Sequence, residues 1–217
     1  MDQSNRPDYR HFSLRRISEP EFRHLYLLLF WPIFGLLFLY VERLQQGRIW
    51  HPISCPLDDL ILFNEWFLIP YLGWFVFLIG MLLYTFLCDT ASFRKMMYFI
   101  MITYGTAILV YLVYPTSQEL RPVEFERDNV LTQFISWFYT FDTNTNVCPS
   151  IHVLGAMSVV CAAWHAPRFA TVGWRAVFVA LGFLISISTV FMKQHSIIDI
   201  GWAFLLSAFA GWIVYRE

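Results

Sequence analysis

Charged side chains are scarce in this chain. Only 14% of its 217 residues are Asp, Glu, Lys or Arg, and 58% are hydrophobic, whereas soluble domains carry roughly 25% charged residues. This deficit argues against a soluble domain and indicates an integral membrane protein, because spans of about 20 apolar residues exclude charge. A basic face with interleaved aromatic residues is also missing, so we expect no nucleic-acid partner.

Paired cysteines are missing as well. The four cysteines, Cys55, Cys88, Cys148 and Cys161, show no C-x-x-C spacing, so we expect no zinc site. A disulfide between Cys55 and Cys148 on the outer side stays open, beside the alternative that all four are inert thiols. No small-residue cleavage site follows the first apolar run, and we therefore expect no signal peptide.

Apolar segments predict an all-α, polytopic membrane protein with six transmembrane helices. The predicted spans lie near 25–44, 66–88, 94–115, 150–167, 174–193 and 196–215. Residues 1–24 are predicted to form a polar cytoplasmic tail, partly disordered or lying on the lipid surface, and 25–217 a single membrane domain. The connection 45–65 is expected in the membrane interface, and 116–149 is interpreted as an outer connection with turns.

The distribution of basic residues predicts the orientation of these spans. With the N-terminus inside, ten Lys and Arg residues fall on the inner side and five on the outer side. The inner ones are Arg6, Arg10, Arg15, Arg16, Arg23, Arg94, Lys95, Arg168, Arg175 and Arg216, and the outer ones are Arg43, Arg48, Arg121, Arg127 and Lys193. We therefore expect a cell-membrane protein with both termini in the cytoplasm.

Two short stretches combine a histidine with other chemically active residues: Cys148-Pro149-Ser150-Ile151-His152 and Gln194-His195-Ser196-Ile197-Ile198-Asp199. Asp199 follows His195 by four residues, which places both on one helix face. A histidine held by a carboxylate is an oriented nucleophile or base, and a second histidine can supply a proton. The pattern indicates chemistry on a phosphate group at the outer membrane face.

The motifs resemble those of the type 2 phosphatidic acid phosphatase superfamily. That family has Lys-x6-Arg-Pro, Pro-Ser-Gly-His and Ser-Arg-x5-His-x3-Asp, in this order. Here the three motifs are Tyr114-x6-Arg121-Pro122, Pro149-Ser150-Ile151-His152 and Ser188-Thr189-x5-His195-x3-Asp199. The resemblance covers residues 94–215 and implies a six-helix bundle that transfers phosphoryl groups through a phosphohistidine, without a metal or other cofactor.

The resemblance assigns roles to single residues. His195 corresponds to the nucleophile, Asp199 to its orienting carboxylate and His152 to the general acid. Arg121 corresponds to an arginine that clamps phosphate with its planar fork. Ser150 and the free N–H groups of the first helical turn are expected to bind phosphate oxygens.

Two family cations are absent from this chain. Tyr114 stands in place of the lysine and Thr189 in place of the arginine. Lys193 lies four residues after Thr189 and is expected to bring an ammonium group to the vacant place. Tyr114 is a candidate hydroxyl donor to phosphate. These departures resemble the branch that contains the sphingomyelin and inositol phosphorylceramide synthases.

The predicted function is hydrolysis of a lipid phosphomonoester or diphosphate at the outer membrane face. A phosphotransferase that passes a phosphate-containing headgroup to an alcohol is an alternative, because the motifs do not distinguish water from an alcohol. A catalytically inactive scaffold or lipid carrier with relic motifs is a third interpretation. The sequence leaves open which lipid is the substrate and whether the chain forms an oligomer.

Overall fold

The computed structural model describes residues 7–43 and 47–216. Helices dominate this part of the chain. The α-helices are α1 (Phe30–Arg43), α2 (Pro56–Leu60), α3 (Leu68–Cys88), α4 (Thr90–Val113), α5 (Val130–Phe141), α6 (Ile151–His165), α7 (Val172–Phe191) and α8 (Ile197–Tyr215). The strands are β1 (His51–Pro52) and β2 (Thr116–Ser117), and 3₁₀ turns cover Tyr9–His11, Leu14–Arg16, Arg23–Leu29, Glu65–Phe67 and Pro167–Phe169.

Among the described residues, five helical stretches are long and apolar enough to cross a membrane, as the sequence predicts for five of the six spans. They are Arg23–Arg43, Glu65–Cys88, Thr90–Val113, Val172–Phe191 and Ile197–Tyr215, with 19 to 24 residues each. A membrane-spanning helix needs about 20 residues. The five stretches are consistent with a multi-pass membrane protein. Pro70 lies in the first turn of α3, where its missing N–H leaves no helical hydrogen bond unmade.

The fourth predicted span, 150–167, is shorter in the structure and corresponds to α6. α6 has 15 residues, which corresponds to about 22 Å, and Pro167 follows its C-cap at Ala166. α6 lies in the centre of the helices and packs against α3, α4, α7 and α8. Gly155 permits this close packing, because a Cβ atom there would lie 2.6 Å from Tyr104 Oη and 2.7 Å from Trp74 Nε1.

A further helix, α5, lies in the predicted connection 116–149. The Asn129 side chain accepts hydrogen bonds from the N–H groups of Leu131 and Thr132, and Thr132 completes a capping box. The sequence predicts turns in this region, and a helix of 12 residues is too short to span a bilayer. α5 packs instead beside the 3₁₀ turn that precedes α3.

The N-terminal segment packs on the helices rather than trailing away from them. Tyr9 Oη bonds to His24 Nε2 at 2.7 Å and donates to the Phe86 carbonyl at 2.9 Å. Phe22 and His24 are buried. Residues 1–6 of the predicted tail, residues 44–46 at the end of the first span and the start of the connection, and residue 217 lie outside the described residues.

The predicted outer connections meet beside the start of α6. β1 and β2 pair in parallel, with His51 opposite Thr116. The Thr116 hydroxyl accepts hydrogen bonds from the N–H groups of Val147 and Cys148, each at 3.1 Å. Thr116 therefore fixes the chain immediately before the Pro149-Ser150 start of α6.

Candidate active site

His195 lies in a tight turn between α7 and α8. The Thr189 carbonyl in the last turn of α7 accepts from the N–H groups of Gln194 and His195, at 2.9 and 3.2 Å. Lys193 has a φ of 51°, in the left-handed region in which helices commonly end. The turn buries His195, which is 8% exposed.

The His195 ring is held by Asp199 one helical turn further on. Nδ1 of His195 lies 3.3 Å from Oδ2 of Asp199, and the same oxygen accepts from the Ser196 N–H at 3.0 Å. This second bond is part of a capping box, because Ser196 is the N-cap of α8 and Asp199 its third residue. A proton on Nδ1 leaves Nε2 as the nitrogen with a free lone pair.

His152 lies in the first turn of α6 and faces His195. The ring centroids of the two histidines are 6.1 Å apart. Tyr71 and Trp74 of α3 contact the His152 ring, at centroid distances of 4.4 and 4.6 Å. These aromatic side chains limit the orientations that the imidazole can adopt.

Both histidines line one cavity of about 570 Å³. Its lining includes aromatic side chains of α1, α3 and α5, among them Phe34, Trp74 and Phe138. Glu42 and Asp142 add two carboxyl groups to the lining, and Arg43 adds a guanidinium group. The cavity thus combines a large apolar volume with a small polar end, as small-molecule and lipid sites commonly do.

Ser150 lies beneath the start of α6 as its N-cap. It is completely buried, and its hydroxyl accepts from the Val153 N–H at 3.5 Å. The preceding Pro149 carbonyl accepts a hydrogen bond of 2.6 Å from Tyr111 Oη. Ser150 therefore fixes the helix that carries His152, and its side chain is not among those lining the cavity.

Arg121 is close to the site but bonded to the protein backbone. Its terminal nitrogens donate to the carbonyls of Tyr139 at 3.1 Å, Asp142 at 2.7 Å and Thr143 at 2.9 Å, and to Oε1 of Gln194. The guanidinium also lies 4.3 Å from the centroid of the Tyr139 ring. Burial lowers the pKa of Arg121 from its ordinary high value. The Arg121 guanidinium group therefore links the end of α5 to Gln194, the residue before His195.

Lys193 and Tyr114 lie apart from the two histidines. Lys193 Nζ donates to the Asp58 carbonyl at 2.7 Å and does not line the cavity. Tyr114 is about half exposed and stacks on His51 at a centroid distance of 3.9 Å. Thr189, in place of the family arginine, is buried and donates to the Ser186 carbonyl at 2.8 Å. Neither Lys193 nor Tyr114 therefore takes the place of an absent cation beside the histidines, whereas Arg43 lines the same cavity as the two histidines.

Asp142 is a site residue in the connection 116–149, where the sequence favours a turn-forming role and leaves a headgroup contact as the alternative. Its Oδ2 accepts from Tyr71 Oη at 2.9 Å and from Gln194 Nε2 at 3.2 Å. Burial raises the pKa of Asp142, although the Tyr71 hydroxyl opposes this shift. One carboxyl group thereby links the aromatic residue beside His152 to the residue before His195. A local signal for it is its position directly after the last residue of α5.

All four cysteines are free thiols, including Cys55 and Cys148. Burial, followed by the charge of Asp199, raises the pKa of the Cys148 thiol well above its ordinary value. This shift keeps the thiol protonated and unreactive. Within residues 7–43 and 47–216, no group of three or more His, Cys, Asp or Glu side chains is arranged to hold a metal ion.

Comparisons with known proteins found no counterpart for this arrangement: no protein-family model, no curated protein and no solved structure matches the chain.

Proposed function

We propose that this chain is a membrane-embedded phosphatase that hydrolyses a lipid phosphomonoester or diphosphate through a phosphohistidine at His195. The observation that carries the proposal is the convergence of His195, held by Asp199, with His152 on one cavity. An oriented nucleophile and a proton donor are the two groups that such a reaction requires. The cavity is large and apolar enough to accept part of a lipid.

The proposed reaction has two steps. First, Nε2 of His195 attacks phosphorus, the P–N bond forms as the P–O bond to the lipid breaks, and His152 gives its proton to the departing alkoxide. Next, water attacks the phosphorus and passes a proton to His152, and the N–P bond breaks to release phosphate. Asp199 holds the proton on Nδ1 and stabilises the positive charge that His195 develops.

The proposal includes a place in the membrane. The bundle is of the type 2 phosphatidic acid phosphatase kind, with the five long stretches and the shorter, central α6 as its six membrane crossings. The charge asymmetry of the sequence favours cytoplasmic termini and a cavity that opens toward the outer leaflet. Cysteine labelling of single-cysteine variants from each side of a sealed vesicle tests this orientation.

The test of the chemistry is phosphate release from a panel of lipid phosphates by the purified chain in detergent, with a chelator present. The parent is compared with His195→Ala and Asp199→Asn, and with His11→Ala, which removes an exposed histidine outside the cavity. We expect release by the parent and by His11→Ala, none by His195→Ala, and an acid-labile phosphoenzyme on the parent. Equal release by the parent and His195→Ala would exclude the proposal.

A second candidate, a phosphotransferase acting on a phosphodiester, is favoured by the two carboxyl groups of the cavity. Glu42 and Asp142 lie in the lining beside the histidines together with one cation, Arg43, while the terminal nitrogens of Arg121 donate to backbone carbonyls and to Gln194. Ionised carboxylates repel a doubly charged phosphomonoester more strongly than a singly charged diester. In that reaction the group on His195 passes to an alcohol instead of water.

Addition of a second lipid alcohol distinguishes these two functions. A phosphatase releases phosphate at a rate that the alcohol does not raise, whereas a transferase forms a new phosphodiester only when the alcohol is present. The absence of any phosphoenzyme on the parent, with monoesters, diphosphates and diesters alike, would favour the third interpretation, an inactive scaffold or lipid carrier.

A further inference from the structure

Asp58 is a buried carboxylate that contacts the His195 turn from a distant part of the sequence. It is the third residue of the short helix α2, and its Oδ2 accepts from the Cys55 N–H at 2.8 Å. The side chain is completely buried, which requires that its charge be satisfied by hydrogen bonds. The remaining donors come from the start of α8.

These donors flank the histidine directly. Ser196 Oγ donates to Oδ2 of Asp58 at 2.6 Å, and the Ile197 N–H donates to Oδ1 at 2.9 Å. On the other side of His195, Lys193 Nζ donates to the Asp58 carbonyl at 2.7 Å. Asp58 therefore holds both ends of the segment in which His195 lies.

The contacts form a continuous path to the imidazole. Ser196 uses its hydroxyl proton on Asp58 and its N–H on Oδ2 of Asp199. The same oxygen of Asp199 meets Nδ1 of His195 at 3.3 Å. A displacement of Ser196 would move the oxygen that orients the imidazole, and a shift of about 1 Å in a reacting group is enough to reduce a rate about 100-fold.

We propose that Asp58 is a positioning residue for His195, acting through Ser196 and Asp199, so that the connection between the first two spans sets the reactivity of the histidine. This inference rests on the proposed function only for the statement that His195 is the nucleophile. The geometric part, that Asp58 orients the His195 ring, is independent of it. Lys193 then stabilises the position of Asp58 through its hydrogen bond to the Asp58 carbonyl.

Asp58→Asn is the main test variant, because the amide keeps the size of the side chain but turns one acceptor into a donor. Asp59→Asn is the matched control, since Asp59 is adjacent and exposed. The first measurement is the rate at which diethyl pyrocarbonate modifies His195, followed by mass spectrometry, with exposed His11 as the internal reference. We expect a changed rate at His195 in Asp58→Asn only, and an unchanged rate at His11 in all samples.

The second measurement is steady-state turnover of the best lipid substrate. We expect kcat to fall about 10- to 100-fold in Asp58→Asn with KM within about twofold of the parent, and no change in Asp59→Asn. Altered ring reactivity without turnover in any sample, parent included, would reject the proposed function and retain the positioning role. Identical His195 reactivity in Asp58→Asn and Asp59→Asn would overturn the positioning role.

A milder pair of variants covers the case in which Asp58→Asn does not fold. Ser196→Ala removes the hydroxyl that joins Asp58 to the turn, and Ser196→Thr restores it. We expect the changed His195 reactivity in Ser196→Ala and recovery in Ser196→Thr. A Ser196→Ala protein that folds and keeps the reactivity of the parent would show that Asp58 serves stability alone and would overturn the proposal.

Discussion

His152 and His195 lie with ring centroids 6.1 Å apart and an angle of 61° between their planes. His152 lies in the first turn of α6, and His195 lies two residues before α8. The two rings therefore lie close together only because these two helices pack side by side. Their different surroundings give the rings different roles in the proposed reaction. His195 is held by a carboxylate, whereas aromatic side chains surround His152.

If His152 protonates the leaving alkoxide, its loss should matter most for poor leaving groups. We expect His152→Asn to lower kcat/KM for an alkyl phosphate by about 10²- to 10⁴-fold. The loss for nitrophenyl phosphate should be much smaller, because that group departs without a proton. Steady-state rates with both substrates measure this difference, with His11→Asn as the control. Equal losses on both substrates would argue against general acid catalysis.

The hydrogen bonds of Arg121 predict a contribution to stability. Arg121→Lys keeps the charge but loses the fork that reaches the carbonyls of Tyr139, Asp142 and Thr143. We expect the free energy of unfolding in detergent to fall by about 1–3 kcal/mol. Arg127→Lys is the control: the Arg127 side chain is exposed and pairs with Glu65 at 3.2 Å, so the change should stay below about 0.5 kcal/mol.

An increase in KM for the lipid in Arg121→Lys, with unchanged stability, would contradict that expectation. Such a result would instead support the phosphate clamp that the family motif implies.

The contact of α6 with α3 and α4 leaves no room for a methyl group at Gly155. A Cβ atom would overlap the polar atoms of Tyr104 and Trp74, and we expect Gly155→Ala to lower the free energy of unfolding by about 1–3 kcal/mol. At Gly105, in α4, nothing lies within 4 Å of the corresponding position. Gly105→Ala should be neutral or stabilising by up to about 1 kcal/mol. Thermal unfolding in detergent tests both, and equal effects would contradict the packing argument.

Asp58 predicts a dependence of stability on pH. Burial alone would raise its pKa, but hydrogen bonds from Ser196, Ile197 and Cys55 outweigh burial and hold the pKa below its ordinary value. A carboxyl group with a lowered pKa stabilises the fold above its unfolded pKa of about 3.9, and the stabilisation disappears as the pH falls through the folded pKa.

The parent should therefore exceed Asp58→Asn in unfolding free energy by a constant amount from about pH 5 to 8, and by less below about pH 4. Unfolding of both proteins over this pH range checks the expectation, with Asp59→Asn for comparison. A difference that persists unchanged at the lowest pH would contradict it.

Structural features that depend on neighbouring residues can be predicted from the sequence. Long apolar runs predict five of the helices, because a span of hydrophobic residues has few alternatives to a helix in lipid. The four-residue spacing predicts the contact of Asp199 with His195, because helical periodicity places them on one face. Pro167 marks the end of α6, because proline cannot continue a helix.

Other features depend on which segments pack together, and only the tertiary structure decides those. Lys193 lies near Thr189 in sequence, but in the folded turn the Lys193 ammonium group donates to the Asp58 carbonyl. In the sequence, Asp58 and Asp142 resemble ordinary loop carboxylates. In the structure, α2 and α5 place them in hydrogen-bond contact with the His195 turn. Local patterns thus determine the helices and the histidine motifs, whereas long-range packing determines which charges surround them, because burial and hydrogen-bond partners arise only when distant segments meet.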